Sequence, residues 1–147
     1  MSHELIVHYE ADIGHRVMHH NGKCANLHGH RYVFKVHFKM TRVVPREEGM
    51  LLDFGVAKSI VKNIVDEWDH GLLLNEQDPL LTLMRGVNFP GQKQEKIFAW
   101  EGDPTAENIG RDLEQELTLQ LKLAHLPVEV VAVEVAETPT YTATWTP

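Results

Sequence analysis

The sequence predicts an α+β fold in which two helices cover one face of a four-stranded, mainly antiparallel sheet. Alternating apolar and polar residues mark strands near both ends of the chain, and two helical patterns lie between them. This order, ββααββ, is typical of an α+β sandwich. Residues 1–147 are predicted to form a single domain, because the length suits one hydrophobic core and no repeat or linker interrupts it.

The first two strands are predicted from apolar residues at alternate positions. The first lies at about residues 3–10, and its apolar positions are Leu5, Val7 and Tyr9. The second covers RYVFKVHFKM, whose apolar positions of one parity are Tyr32, Phe34, Val36 and Phe38. His28 and His30 share the parity of that apolar set, so they are expected to extend its buried face.

Two helices and two further strands follow in the predicted order. Asp53 is a good N-cap for the first helix, and Thr105 is a good N-cap for the second. The first helix has its apolar stripe at Val56, Ala57, Ile60, Val61, Ile64, Val65 and Trp68. The final strands, VEVVAVEVAET and YTATWT, flank a turn at residues 138–140. Residues 79–103 lack clear periodicity, which indicates a functional loop or a short extra hairpin.

The composition restricts the class of partner and compartment. A formal net charge of −7 argues against nucleic acid, since neutralising phosphates needs a basic face. The sequence shows no apolar run long enough for a membrane span and no secretory leader, and its single cysteine excludes an internal disulfide. A cytoplasmic protein is therefore expected. The two open edges of a four-stranded sheet also favour association between copies.

Ten histidines are the main anomaly of the composition, and one short stretch, KCANLHGH, indicates a metal site. His28 and His30 are two residues apart on an extended segment, so both imidazoles point to the same side. His15 would complete three ligands and leave an open fourth position, as in catalytic zinc sites. His19 and His20 are alternative ligands from a predicted loop. Imidazole also suits metals other than zinc.

Cys24 lies in a polar loop beside Lys23 and close to the candidate ligands. A single cysteine is commonly a small buried apolar residue. If Cys24 bound the metal, the site would be closed and structural. If it stood off the metal, its positively charged neighbours would favour the thiolate, and the thiolate could act as a base.

Several carboxylates are further candidates. Asp69 and His70 could form a proton-transfer pair, but adjacent residues of a helix do not face each other, so the local pattern favours a helix-end cap. Glu137 ends the apolar face of its strand and points inward, where it would be capped or would bind N–H groups of a ligand. Glu107 lies in the first turn of a helix, after the Thr105 cap, and suits the helix dipole.

The motifs GHR, GKC-x3-HGH, DFG, DHGLLLN, PTAEN and ET occur in this order over nearly the whole chain. Together they resemble the 6-pyruvoyltetrahydropterin synthase family, which includes the bacterial 6-carboxytetrahydropterin synthases of queuosine biosynthesis. The resemblance implies the tunnelling fold, in which sheets of several subunits close into a barrel, commonly a homohexamer of two trimers. It also implies a zinc-dependent lyase with a small pterin substrate.

The resemblance assigns a role to each candidate residue. The implied zinc ligands are His15, His28 and His30. Cys24 would be the catalytic base, and Asp69 with His70 would form the second proton-transfer group, which reverses the helix-cap interpretation. Glu137 would anchor the pterin ring. The Thr105–Glu107 segment would line a pocket between subunits.

The three-residue spacing between Cys24 and HGH favours the carboxy-forming branch, because mammalian-type pyruvoyl synthases have two more residues there. A branch that releases glycolaldehyde-type fragments has glutamate at the cysteine position, so Cys24 argues against it. The last strand lacks the basic residue that often follows its tyrosine. The nearby cations that could recognise phosphate are Lys23, Arg16, Arg31 and Lys35. The alternatives are a pyruvoyl synthase, a noncatalytic zinc- or pterin-binding module, and a structural oligomer.

Overall fold

The computed structural model describes residues 3–87, 91 and 95–147, and its strands form one six-stranded sheet. The strands are β1 (Glu4–His15), β2 (His28–Met40), β3 (Leu72–Asn75), β4 (Ile97–Trp100), β5 (Val128–Thr138) and β6 (Tyr141–Trp145). The helices are α1 (Phe54–Trp68), α2 (Pro79–Arg85) and α3 (Ala106–Leu123). The strand order is β4-β3-β1-β2-β5-β6, so β4 and β6 form the two edges of the sheet.

The predicted α+β class is confirmed, but the four-stranded sheet and the ββααββ order are wrong. β3 pairs in parallel with β1, and β4 pairs in parallel with β3. Each of these strands has four residues, too few for a period-two pattern to stand out. The segment 79–103 therefore contains α2 and β4 rather than a hairpin. Its residues 88–90 and 92–94 lie outside the described residues.

The antiparallel β1–β2 pair places the candidate metal ligands at one end of the sheet. His15 lies opposite His28, and Ile13 lies opposite His30. β1 is longer than predicted and continues to His15, which brings this side chain into the sheet. The predicted parity of β2 is confirmed, since the positions that share it from Tyr32 onward are buried.

The helices pack on the buried face of the sheet. α1 contacts β1, α3 contacts β5 and β6, and the two helices contact each other. Both predicted N-caps are confirmed: an Asp53 carboxylate oxygen accepts from the amides of Gly55 and Val56, and the Thr105 hydroxyl accepts from the amide of Asn108. Within the described ranges, no helix is long and apolar enough to cross a membrane.

We expect Leu113→Ala to lower the free energy of unfolding by about 2–5 kcal/mol, because the substitution leaves a cavity in the core. Leu113 lies on α3 and is fully buried (0% exposed). Urea denaturation would measure the change. Leu119→Ala is the control on the same helix: Leu119 is 49% exposed, so its loss should change the stability by about 0.5 kcal/mol or less. Equal losses in the two variants would contradict this assignment of the core.

Candidate active site

Three imidazoles meet where β1 ends and β2 begins. The side chains of His15, His28 and His30 each offer a nitrogen, and these nitrogens lie within 4.8 Å of one another. The antiparallel register brings His15 against His28, and the two-residue spacing places His30 on the same side. The structure thus brings together the three residues that the sequence predicts as metal ligands.

Hydrogen bonds orient two of these rings for metal binding. The Nδ1–H of His15 donates to the Pro104 carbonyl at 2.7 Å, and that of His28 donates to the Asn26 carbonyl at 2.7 Å. A carbonyl only accepts, so these bonds leave each Nε2 as the atom with a free lone pair. In the described part of the chain, the buried Nε2 of His30 has no hydrogen-bond partner.

The electrostatics of the cluster also suit a metal ion. Burial lowers the pKa of His15 and of His30 below the ordinary histidine value. Both rings are therefore neutral near pH 7, which is the form that binds a metal. Three neutral imidazoles with an open remaining position form the donor set of a catalytic zinc site, so these residues fit the ion implied by the resemblance.

Glu137 lies beside the same cluster. Its Oε1 is 3.7 Å from the Nε2 of His15, and its Oε2 is 3.8 Å from the Nε2 of His30. The Tyr32 hydroxyl donates to Oε1 at 3.3 Å. Burial, together with the charge of Glu137, raises the pKa of Tyr32, so the hydroxyl stays protonated as a donor. Sequence reasoning assigned Tyr32 to the core alone, although it follows His30 with the same parity.

Most of the predicted site residues line one cavity of about 410 Å³. The predicted residues on its wall are His15, Cys24, His28, Thr105, Glu107 and Glu137. His30 lines a neighbouring cavity of about 630 Å³, and Glu137 lines both. The competing candidate His20 also lines the first cavity, whereas His19 forms an ion pair with Asp103.

Cys24 lies in a short 3-10 turn, Lys23–Ala25, and is half-buried. Its carbonyl accepts a hydrogen bond from the Val17 amide at 2.9 Å, which joins the two sides of the loop between β1 and β2. In the described ranges, the residues close enough to share a metal ion are the three histidines and not Cys24. This grouping favours the interpretation of Cys24 as a base beside the metal.

Asp69 and His70 form a pair outside this cavity. Asp69 is the C-cap of α1, and His70 has a φ of 58°, so the backbone leaves the helix and their side chains meet at 2.7 Å. The Asp12 amide also donates to Asp69 at 2.8 Å. Burial alone would raise the pKa of Asp69, but these hydrogen bonds lower it overall. The side chain of His70 is 75% exposed.

The sequence profile of the 6-pyruvoyl tetrahydropterin synthase family matches residues 4–147. The chain belongs to this family. It is 37% identical over 109 residues to the 6-carboxy-5,6,7,8-tetrahydropterin synthase of Rickettsia conorii, covering 74% of this chain and 75% of that protein. It is 38% identical over 132 residues to a probable enzyme of the same name from Halobacterium salinarum, covering 88% and 77%. The family resemblance of the motifs is therefore confirmed.

Solved structures share the fold over the full chain. An uncharacterized Wolinella succinogenes protein has a TM-score of 0.81 at 22% identity, covering 99% of this chain and 98% of that one. A catalytic-residue mutant of Plasmodium vivax 6-pyruvoyltetrahydropterin synthase has a TM-score of 0.73 at 19% identity, covering 100% and 98%. At 19–22% identity, these matches establish the similarity of the fold and nothing further.

Three of the four cations suggested for phosphate recognition are already paired with carboxylates. Arg16 pairs with Asp78, Arg31 pairs with Asp12, and Lys35 pairs with Glu134. The Arg31 and Lys35 pairs are partly exposed, so they are weak and can exchange partners. The carboxylate of Asp78 is buried, which makes Arg16 the least available of the three.

Proposed function

We propose that this chain is a zinc-dependent 6-carboxy-5,6,7,8-tetrahydropterin synthase. It would convert 7,8-dihydroneopterin triphosphate and water to 6-carboxytetrahydropterin, acetaldehyde and triphosphate, a reaction of queuosine biosynthesis. The observation that carries the proposal is the cavity in which His15 and His28 meet Cys24 and Glu137, with His30 completing the ligand cluster. Relatives named as this enzyme, at 37–38% identity, support the carboxy-forming branch.

The residues of the cavity and the Asp69–His70 pair would divide the chemistry between them. Bound by the three imidazoles, zinc would serve as a Lewis acid that acidifies a C–H bond of the substrate side chain. The Cys24 thiolate would remove that proton. His70, held by Asp69, would return a proton to another carbon of the side chain, and the side chain would tautomerise. Triphosphate would then leave, and a retro-aldol-like cleavage would release acetaldehyde.

Glu137 would bind the pterin ring rather than take part in proton transfer. Its carboxylate lines the cavity and is 29% exposed, so its acceptor oxygens can reach N–H groups of a ligand. The hydrogen bond from Tyr32 fixes the orientation of this carboxylate. Thr105 and Glu107 lie on the same wall, at the N-terminus of α3, and would border the bound substrate. Such orientation lowers the entropic cost of reaching the transition state.

The exposed position of Asp69 and His70 supports a site that is completed by another copy of the chain. Neither residue lines the cavity that contains Cys24. The edge strands β4 and β6 offer backbone groups through which copies could pair. We therefore propose a homohexamer, as the resemblance implies, in which the Asp69–His70 pair of one copy faces the Cys24 of another.

Complementation between two inactive variants would test the shared site. We expect Cys24→Ala and His70→Ala to be inactive when each is expressed alone. Co-expression with different affinity tags should restore a measurable fraction of the wild-type turnover in doubly purified oligomers, because some sites then combine an intact Cys24 with an intact His70. Doubly tagged oligomers without turnover would contradict a site shared between copies.

Product analysis would test the function itself. Zinc-loaded protein would be incubated with 7,8-dihydroneopterin triphosphate, the pterin product weighed by mass spectrometry, and acetaldehyde assayed in the same sample. A carboxylated tetrahydropterin with equimolar acetaldehyde is the expected result. A pyruvoyl product without acetaldehyde would identify a 6-pyruvoyltetrahydropterin synthase instead. Binding of zinc and pterin without turnover would indicate a noncatalytic module.

A further inference from the structure

We infer that Arg16 is a positioning residue. Its ion pair with Asp78 fixes the guanidinium, and the guanidinium in turn helps to fix the position of the turn that carries Cys24. The inference deepens the proposed function, because it rests on the role of Cys24 as base. It also gives a specific role to the segment that follows β3, which the sequence alone predicts only as a functional loop or a short extra hairpin.

The pair between Arg16 and Asp78 is a two-point contact. The Nε of Arg16 donates to Oδ2 at 2.5 Å, and an Nη donates to Oδ1 at 2.6 Å. Asp78 is 2% exposed, and its Oδ1 also accepts from the Leu80 amide at the start of α2. The planar guanidinium therefore has one orientation, which a lysine could not reproduce.

Arg16 and Val17 contact the backbone carbonyls of Cys24 and Ala25, two consecutive residues of the 3-10 turn. The Val17 amide donates to the Cys24 carbonyl at 2.9 Å, and the second Nη of Arg16 lies 3.5 Å from the Ala25 carbonyl. At 3.5 Å the second contact is weaker than the first, and it forms only while Asp78 holds the guanidinium in this orientation. The link thus runs from the buried carboxylate of Asp78, through the Arg16 side chain, to the carbonyl of Ala25, and the Val17 amide holds the carbonyl of Cys24 next to it.

The far end of the same segment holds the loop at a second point. One carboxylate oxygen of Asp103 accepts from both the amide and the Nδ1 of His19, at 3.2 and 3.0 Å. The other accepts from Asn75 at 2.9 Å, which ties Asp103 to the end of β3. The loop between β1 and β2 is therefore held by Asp78, just before the segment 79–103, and by Asp103 at its end.

A purely structural ion pair would have different consequences from a positioning one. Loss of a structural pair would lower the melting temperature and leave the folded enzyme with its normal kcat. Loss of a positioning contact would lower kcat while KM stays the same, because a base displaced by about 1 Å can cost about 10²-fold in rate. It would also accelerate amide exchange in residues 17–26 without accelerating it in α1.

The test compares Arg16→Lys and Asp78→Asn with the wild type. Asparagine keeps an oxygen to cap α2 but loses the ion pair. In each variant we expect kcat to fall about 10²-fold at unchanged KM, with faster exchange confined to residues 17–26. Arg42→Lys alters the exposed pair with Glu48 and should leave kcat and exchange unchanged.

A lower melting temperature with unchanged kcat and unchanged exchange in residues 17–26 would overturn the inference. If the wild type itself has no turnover, the proposed function fails, and the exchange measurement alone then decides the role of Arg16. Faster amide exchange of the variants confined to residues 17–26 would then support the inference. Faster exchange that also spreads through α1, or no faster exchange in residues 17–26, would overturn it.

Discussion

Cys24→Ala is expected to reduce turnover of 7,8-dihydroneopterin triphosphate by about 10²–10⁴-fold, the contribution typical of a general base. The thiol lines the cavity beside His15 and His28, whereas the three histidines form the metal cluster without it. The variant should therefore keep a full complement of zinc. Turnover at saturating substrate and zinc content by mass spectrometry would be measured on the same preparation.

Two controls separate loss of the base from loss of packing or of metal. Cys24→Ser keeps the size of the side chain but replaces the thiol with a hydroxyl that does not ionise near pH 7, so we expect it to be equally inactive. Cys24 is the only cysteine, so alkylation of the wild type by iodoacetamide should abolish activity through a single site. Loss of zinc in the alanine variant would instead identify Cys24 as a ligand.

The parts of the fold that the sequence predicts are those specified by local pattern. The alternation of Tyr32, Phe34 and Val36 marks β2 because each apolar side chain faces the same buried surface. Asp53 and Thr105 mark the starts of α1 and α3 because their side chains accept from amides two or three residues away. The histidine cluster follows from the same alternation, combined with antiparallel pairing of adjacent strands.

The features that the sequence does not predict depend on contacts between distant residues. β3 and β4 are short and pair in parallel, so nothing within either strand specifies its partner. The Arg16–Asp78 pair joins residues 62 positions apart, and the Tyr32–Glu137 hydrogen bond joins residues 105 positions apart. The rule that adjacent residues of a helix do not face each other does not apply to Asp69 and His70. The backbone at His70 is left-handed and has left the helix, so the two side chains meet.

His28→Ala is expected to lose both zinc and activity. The ring offers its Nε2 to the cluster because its Nδ1 is engaged by the Asn26 carbonyl, and the substitution leaves two imidazoles where three converge. Zinc should raise the melting temperature of the wild type, since an ion bound only by the folded state at 100 times its Kd contributes about 2.7 kcal/mol. The variant should show no such rise, and its zinc content should fall toward zero.

His8→Ala is the matched control, because His8 lies on β1 but is exposed, away from the cluster. It should keep the zinc content, the zinc-dependent rise in melting temperature and the turnover of the wild type. The circular dichroism spectrum of each variant without zinc should match that of the wild type without zinc, since the core residues of β1 and β2 are unchanged. A His28→Ala protein that retains one zinc per chain after dialysis would contradict the three-histidine site. Two imidazoles would then have to be joined by a ligand outside the cluster.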